Sequence, residues 1–169
     1  SSVALLGERV SPETTADDFE GIVALLETFV SQMQKRQRKM KMYLSKKIDG
    51  DYRDFGLSPH ILLFDEFADF SLLLQSKDKK IRDHVNGLIS SIVLKGRQSG
   101  FFLWIVMQQA GSNNIPTFIR DNLPWKVVLG NAEDQTYVTA FGAGVDIPLR
   151  KMEAGDGVFT YPAAANKPR

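Results

Sequence analysis

The sequence contains no cysteine and only two histidines, His60 and His84. A disulfide framework, thiolate metal ligation and a cysteine nucleophile are therefore excluded, and a metal site built mainly from histidines has too few ligands. A Ser-His-Asp triad would have to be built on one of these two histidines. Long hydrophobic runs are missing too. The longest, Phe101 to Met107, is far below the roughly 20 apolar residues a membrane-spanning helix needs. Charge of one sign is not in excess: 21 Lys and Arg face 20 Asp and Glu. Contact with a polyanion must therefore come from local patches, not from the net charge. The opening stretch SSVALLGERV lacks a basic segment followed by an apolar one, so no targeting signal is read there. The absence of cysteine is compatible with a reducing cytoplasm, the location expected for this segment, with any membrane anchor of the intact protein expected in other regions.

With 169 residues, 43% hydrophobic and 24% charged, the chain fits one ordinary globular core. From Thr15 onward, Phe19, Ile22, Val23, Leu26, Phe29, Val30, Met33 and Met40 recur at intervals of three and four, with a polar lapse at Gln37. This predicts a long amphipathic helix with Thr15 as its cap. Gly50, Gly56 and Pro59 then break the period. Ile61 to Phe64 reads as a short buried strand. Ile81, Val85, Leu88, Ile89, Ile92 and Val93 mark a second long helix ending near Gly96 or Gly100. Phe101 to Met107 reads as a central strand. A short helix is expected across Ile115 to Asp121, with Pro116 in its first turn. Val127 to Leu129 reads as a third buried strand, Ala132 to Phe141 as a helix, and Val158 to Tyr161 as the last strand. Buried strands alternating with helices predict an α/β domain with a mostly parallel sheet.

The first strand runs directly into two acids, in HILLFDEFADF. In an open parallel sheet, ligands sit beyond the carboxyl ends of the strands, where Asp65 and Glu66 fall. Adjacent carboxylates drawn partly out of water repel one another, and a divalent cation resolves that conflict. An apolar strand followed by Asp and Glu is the Walker B arrangement of ATP-hydrolysing proteins. There the Asp orients water on Mg²⁺ and the Glu activates the water that attacks the γ-phosphate. The plainer reading is that the acids start a helix at Phe67 and favour its dipole. No Gly-Lys dipeptide occurs, so the phosphate loop G-x-x-x-x-G-K-[ST] is absent from these residues.

Beyond the acids, the blocks ILLFDEFADF, LKGRQSGFFLWIVMQQ, IPTFIRDNLPWKVVLGNAEDQTYVTAFGAGV and EAGDGVFTYP follow in order. Together they resemble the motor domain of the FtsK/SpoIIIE DNA translocases, closest to the relatives on Gram-positive conjugative elements. The resemblance covers about residues 1–162, leaving 163–169 as a tail or linker. It implies a RecA-like P-loop NTPase core truncated on its N-terminal side, and a segment cut downstream of Walker A. It also implies ATP and Mg²⁺ as cofactors, a hexameric ring, and DNA as the moving partner, with a relaxase or other conjugation machinery alongside. By position, Asp65 and Glu66 match the Walker B acids, with Asp65 holding Mg²⁺ through water. Gln108 matches the polar γ-phosphate sensor closing the next strand. Arg97 lies in the family's helix-end block and Lys126 stands where the family usually has Arg, so both are candidates for a neighbouring subunit's nucleotide. Lysine lacks the planar fork of arginine at such a site. Gln109 and Thr136 also depart from the usual Arg.

The bland readings are a surface amide for Gln108 and a cation at a helix C-terminus for Arg97. The basic run KRQRKMKM, with Lys35, Arg36, Arg38, Lys39 and Lys41, reads chiefly as a solvated face. Two other functions stand beside the motor: a non-catalytic assembly or docking module, and a VirD4-type coupling ATPase. An upstream phosphate loop separates the first from the motor; transmembrane helices and an all-α insert would mark the second.

Overall fold

The computed structural model describes residues 18–44, 50–108, 115–143 and 151–160. The first helix, α1 (Phe19–Leu44), has Asp18 at its head: the Oδ1 of Asp18 accepts the Gly21 N–H at 2.8 Å. Asp18 performs the capping expected of Thr15, which lies outside the described residues. The apolar stripe of α1 buries Phe19, Ile22, Leu26, Phe29, Val30, Met33 and Met40, whereas Met42 points to solvent.

Strand β1 (His60–Asp65) is followed by α2 (Phe67–Gln75), α3 (Lys79–Ser99) and strand β2 (Phe101–Val106). The two strands pair in parallel, His60 opposite Phe101 and Asp65 opposite Val106. Gly100 ends α3 in the left-handed region at φ 75° and turns the chain into β2. Gly96 lets α3 lie against the start of β2, because a Cβ there would sit 2.1 Å from the Phe101 carbonyl oxygen.

Alternation along the strands divides the sheet into two faces. Leu62, Phe64, Phe101, Leu103 and Ile105 face α1, α2 and α3, and join the main core with Val85, Ile89 and Ile92. Each fully buried aliphatic side chain in this cluster contributes about 2 kcal/mol through removal from water. Ile61, Leu63, Phe102, Trp104 and Val106 share the other face, on which Ile61, Trp104 and Val106 are 49%, 58% and 47% exposed. The apolar runs that predicted strands covered on both sides are thus covered on one side by the described residues.

Helix α4 (Thr117–Asn122) starts after Pro116 and buries Ile119 in the main core. Strand β3 (Lys126–Leu129), helix α5 (Asp134–Phe141) and strand β4 (Gly157–Thr160) form a second cluster around Val128, Tyr137, Met152 and Val158. Here β3 and β4 pair antiparallel, apart from the β1–β2 pair. The α/β class and the parallel β1–β2 pair match expectation. The third strand differs from it, since Val128 is buried but Val127 and Leu129 are exposed. A strand of four residues packed against α5 on one face has its alternate side chains in solvent. Asn131 clamps this unit by donating to the Met152 carbonyl at 2.9 Å and accepting the Met152 N–H at 2.8 Å.

Candidate functional site

The carboxyl ends of β1 and β2 bring Asp65, Glu66 and Gln108 together. Asp65 closes β1 on the open face of the sheet. Its carboxylate is exposed and has no hydrogen-bond or ion-pair partner among the described residues. Glu66 leaves the strand in the left-handed region, at φ 97° and ψ 79°, as the only non-glycine residue with positive φ among those described. Such a conformation costs a β-carbon-bearing residue on the order of 1–3 kcal/mol, and it occurs preferentially at functional sites.

Three hydrogen bonds hold Glu66 in place. Its N–H donates to the Val106 carbonyl at 3.2 Å, continuing the ladder with β2. Its Oε1 accepts the Ala68 N–H at 3.2 Å, capping α2, and its Oε2 accepts the Gln108 N–H at 3.0 Å. The side chain therefore joins the end of β1, the start of α2 and the residue after β2. The helix-starting role read from the sequence is present, and the same carboxylate also crosses to the neighbouring strand. Each carboxylate oxygen retains acceptor capacity beyond these bonds.

No group of three or more His, Cys, Asp or Glu that could hold a metal occurs among the described residues. A lone exposed carboxylate such as Asp65 is compatible with Mg²⁺ that keeps its waters and is met through them. It does not fit a cation held by protein ligands alone.

Arg97 lies elsewhere. Arg97, in the last turn of α3, is exposed and stands just before the start of β2, at the opposite end of the strands from Asp65. Lys126 opens β3. Burial pushes its ammonium below the usual lysine range; Asp121 opposes that shift and Arg120 adds to it. The Gln108 side chain is exposed. Gln109 lies outside the described residues, and Thr136 is half-buried on α5.

The basic run on α1 is not uniform. Arg36 turns inward, its Nη1 donating to the Ser58 carbonyl at 2.8 Å and the Ser99 carbonyl at 3.1 Å, with its guanidinium 4.8 Å from the Phe101 ring centre. Burial lowers its pKa. Gln37, the lapse in the apolar stripe, donates to the Lys95 carbonyl at 2.7 Å and ties α1 to α3. Lys95, which the sequence reading passes over, lines a groove with Lys41 and Arg97. A signal for it was available: Glu27 is the last acid in α1 and Asp83 the last in α3.

The resemblance to the FtsK/SpoIIIE family read from the sequence is supported by two comparisons. The chain is 31% identical over 150 residues to the FtsK domain-containing protein YdcQ of Bacillus subtilis (strain 168), a match spanning 89% of the chain and 31% of the relative. It thus spans about a third of that protein's length. Its fold matches the solved monomer form of the pCW3 conjugation coupling protein TcpA with ATPγS, at a TM-score of 0.66 and 18% identity, over 89% of this chain and 43% of that one. No protein-family model matches the chain.

Proposed function

We propose that the chain supplies the Walker B part of an ATP-driven motor that moves DNA during conjugative transfer. The observation that carries this reading is the Asp65–Glu66 pair at the carboxyl end of β1, with Glu66 held in a left-handed conformation against the backbone of Gln108. Similarity to an FtsK domain-containing protein and to the fold of a conjugation coupling protein solved with ATPγS supports it.

In the whole protein, residues 1–162 form part of a RecA-like motor domain, and 163–169 lead out of it. Bound Mg²⁺ supplies charge neutralisation for the triphosphate. The exposed Asp65 carboxylate would hold the ion through water. Glu66 accepts the proton of the water that attacks the γ-phosphorus as the bond to the bridging oxygen breaks and ADP leaves, and its bond to the Gln108 N–H keeps the carboxylate aimed. The Gln108 side chain donates to the terminal phosphate. Arg97, at the opposite end of the strands from the acids of its own chain, and Lys126 serve a neighbouring subunit's nucleotide in a ring, the hexamer being the expected form. DNA is the substrate moved, and a relaxase or another component of the conjugation machinery delivers it.

The test is DNA-stimulated ATPase of the full-length protein with Glu66→Gln. The expected outcome is a fall of about 10²–10⁴-fold in hydrolysis with nucleotide binding retained. Equal rates would refute the assignment. That Glu66 caps α2 favours a second reading, in which the pair is structural and the fold serves assembly; that reading predicts no ATPase in the wild type either.

A further inference from the structure

The geometry points to a second functional surface: the groove between the C-terminal ends of α1 and α3 is a binding site for a nucleic-acid phosphodiester backbone. This inference rests on the DNA-motor reading and adds where the strand is gripped.

The groove has a volume of about 600 Å³ and is lined by Gln37, Lys41, Asp51, Lys95, Arg97 and Gln98. Lys41, Lys95 and Arg97 are exposed and have no hydrogen-bond or ion-pair partner among the described residues. The acid in the lining, Asp51, is already neutralised. The Arg53 guanidinium hydrogen-bonds it, Nε at 3.2 Å from Oδ1 and 3.1 Å from Oδ2, and holds its carboxyl down at about 2. The charged side chains of the lining, beside the apolar Met40 and Leu94, are therefore net cationic in a chain whose overall charge is +1.

Helix dipoles favour a cation or two at each C-terminus. They do not require that α1 carry no acid after Glu27 and α3 none after Asp83. Lys35, Arg38 and Lys39 are exposed on the same half of α1, and Arg38, three residues before Lys41, lies on the same side of the helix and extends the cationic surface beyond the groove. The floor is held by backbone acceptors: Gln37 donates to the Lys95 carbonyl and Gln98 to the Gly50 carbonyl at 3.1 Å. The cations thus stand on a fixed base. An elongated polyanion suits such a surface better than a small one, because the charge continues along a helix instead of closing around one point. The groove lies at the amino ends of the strands, about 17 Å along the sheet from Asp65 and Glu66. It cannot serve the same nucleotide as those acids.

The test uses the full-length protein and fluorescein-labelled duplex or single-stranded DNA of equal length, with anisotropy titrations at stepped KCl concentrations. Lys41→Glu/Lys95→Glu is compared with Lys79→Glu/Lys80→Glu, which makes the same charge change at the far end of α3. Arg97 is left intact because of its proposed contact with nucleotide. The groove variant is expected to bind at least tenfold more weakly and to lower the slope of log K against log salt by about 1–2, as loss of one or two phosphate contacts requires. The far-UV circular dichroism spectrum and thermal midpoint should stay as in wild type, which reports an intact fold. The duplex and single-strand arms identify which form occupies the groove. If DNA binding is unchanged, or if both double variants weaken it equally, the groove assignment is overturned while the motor reading stands. If the wild type binds neither DNA, the motor reading falls as well.

Discussion

Glu66 accepts the Gln108 N–H at 3.0 Å, so the side chain after β1 is fastened to the backbone after β2. The two positions are 42 residues apart in sequence and are brought together by the parallel pairing of the strands. Any shift of the β2 end must move the Glu66 carboxylate or break this bond.

The left-handed backbone at Glu66 leads to a stability prediction that separates strain from lost contacts. Glu66→Ala loses the cap and the bond to Gln108 but keeps the β-carbon at φ 97°. Glu66→Gly loses the same bonds and relieves the strain. The glycine variant should be more stable than the alanine variant by about 1 kcal/mol in urea denaturation of the full-length protein. The reverse order would show that the backbone relaxes without its side chain.

Gly96 is expected to tolerate no side chain. The added methyl of Gly96→Ala would meet the Phe101 carbonyl oxygen at 2.1 Å, a backbone atom that cannot swing away. Either α3 or the start of β2 must move, at a cost of about 3 kcal/mol. Gly87→Ala, at a position with open space, should instead be neutral or slightly stabilising. Thermal unfolding of both variants measures the contrast.

His60 sets a pH dependence. Its ring stacks on Phe101 with centres 4.7 Å apart, and burial, assisted by the Arg36 charge, lowers its pKa from 6.5. The folded state therefore favours the neutral ring, and the unfolded chain takes up a proton first as pH falls. Stability contributed by this residue is complete above the unfolded value and declines as pH drops below about 6.5, until the folded pKa is passed. His60→Phe retains a stacked ring and should flatten this part of the profile. Arg36→Met should raise the His60 pKa, measurable from its ring proton shifts by NMR.

Much of this was legible in the sequence where the pattern is long. The stripes of α1 and α3 extend over several turns, so tertiary packing had no competing period to select. Gln37 looked like a lapse, but it donates a hydrogen bond between helices, a role that periodicity counts as an error. Arg36 could not be told from Arg38 or Lys39, because a run of cations does not reveal which member turns inward. The direction of β3 and β4 was hidden for another reason. Four-residue strands carry no mark of orientation. At the site, the strand ending in Asp65 and Glu66 was readable. The backbone twist at Glu66 was not, since φ above zero in a non-glycine residue follows from its hydrogen bonds.

The bare side of the β1–β2 pair has a practical consequence. Ile61, Trp104 and Val106 present an oily surface to water, so this stretch prepared by itself should bind hydrophobic dyes and self-associate as its concentration rises. Trp104 sits in the middle of that surface, and its fluorescence should shift to the blue when anything settles over it.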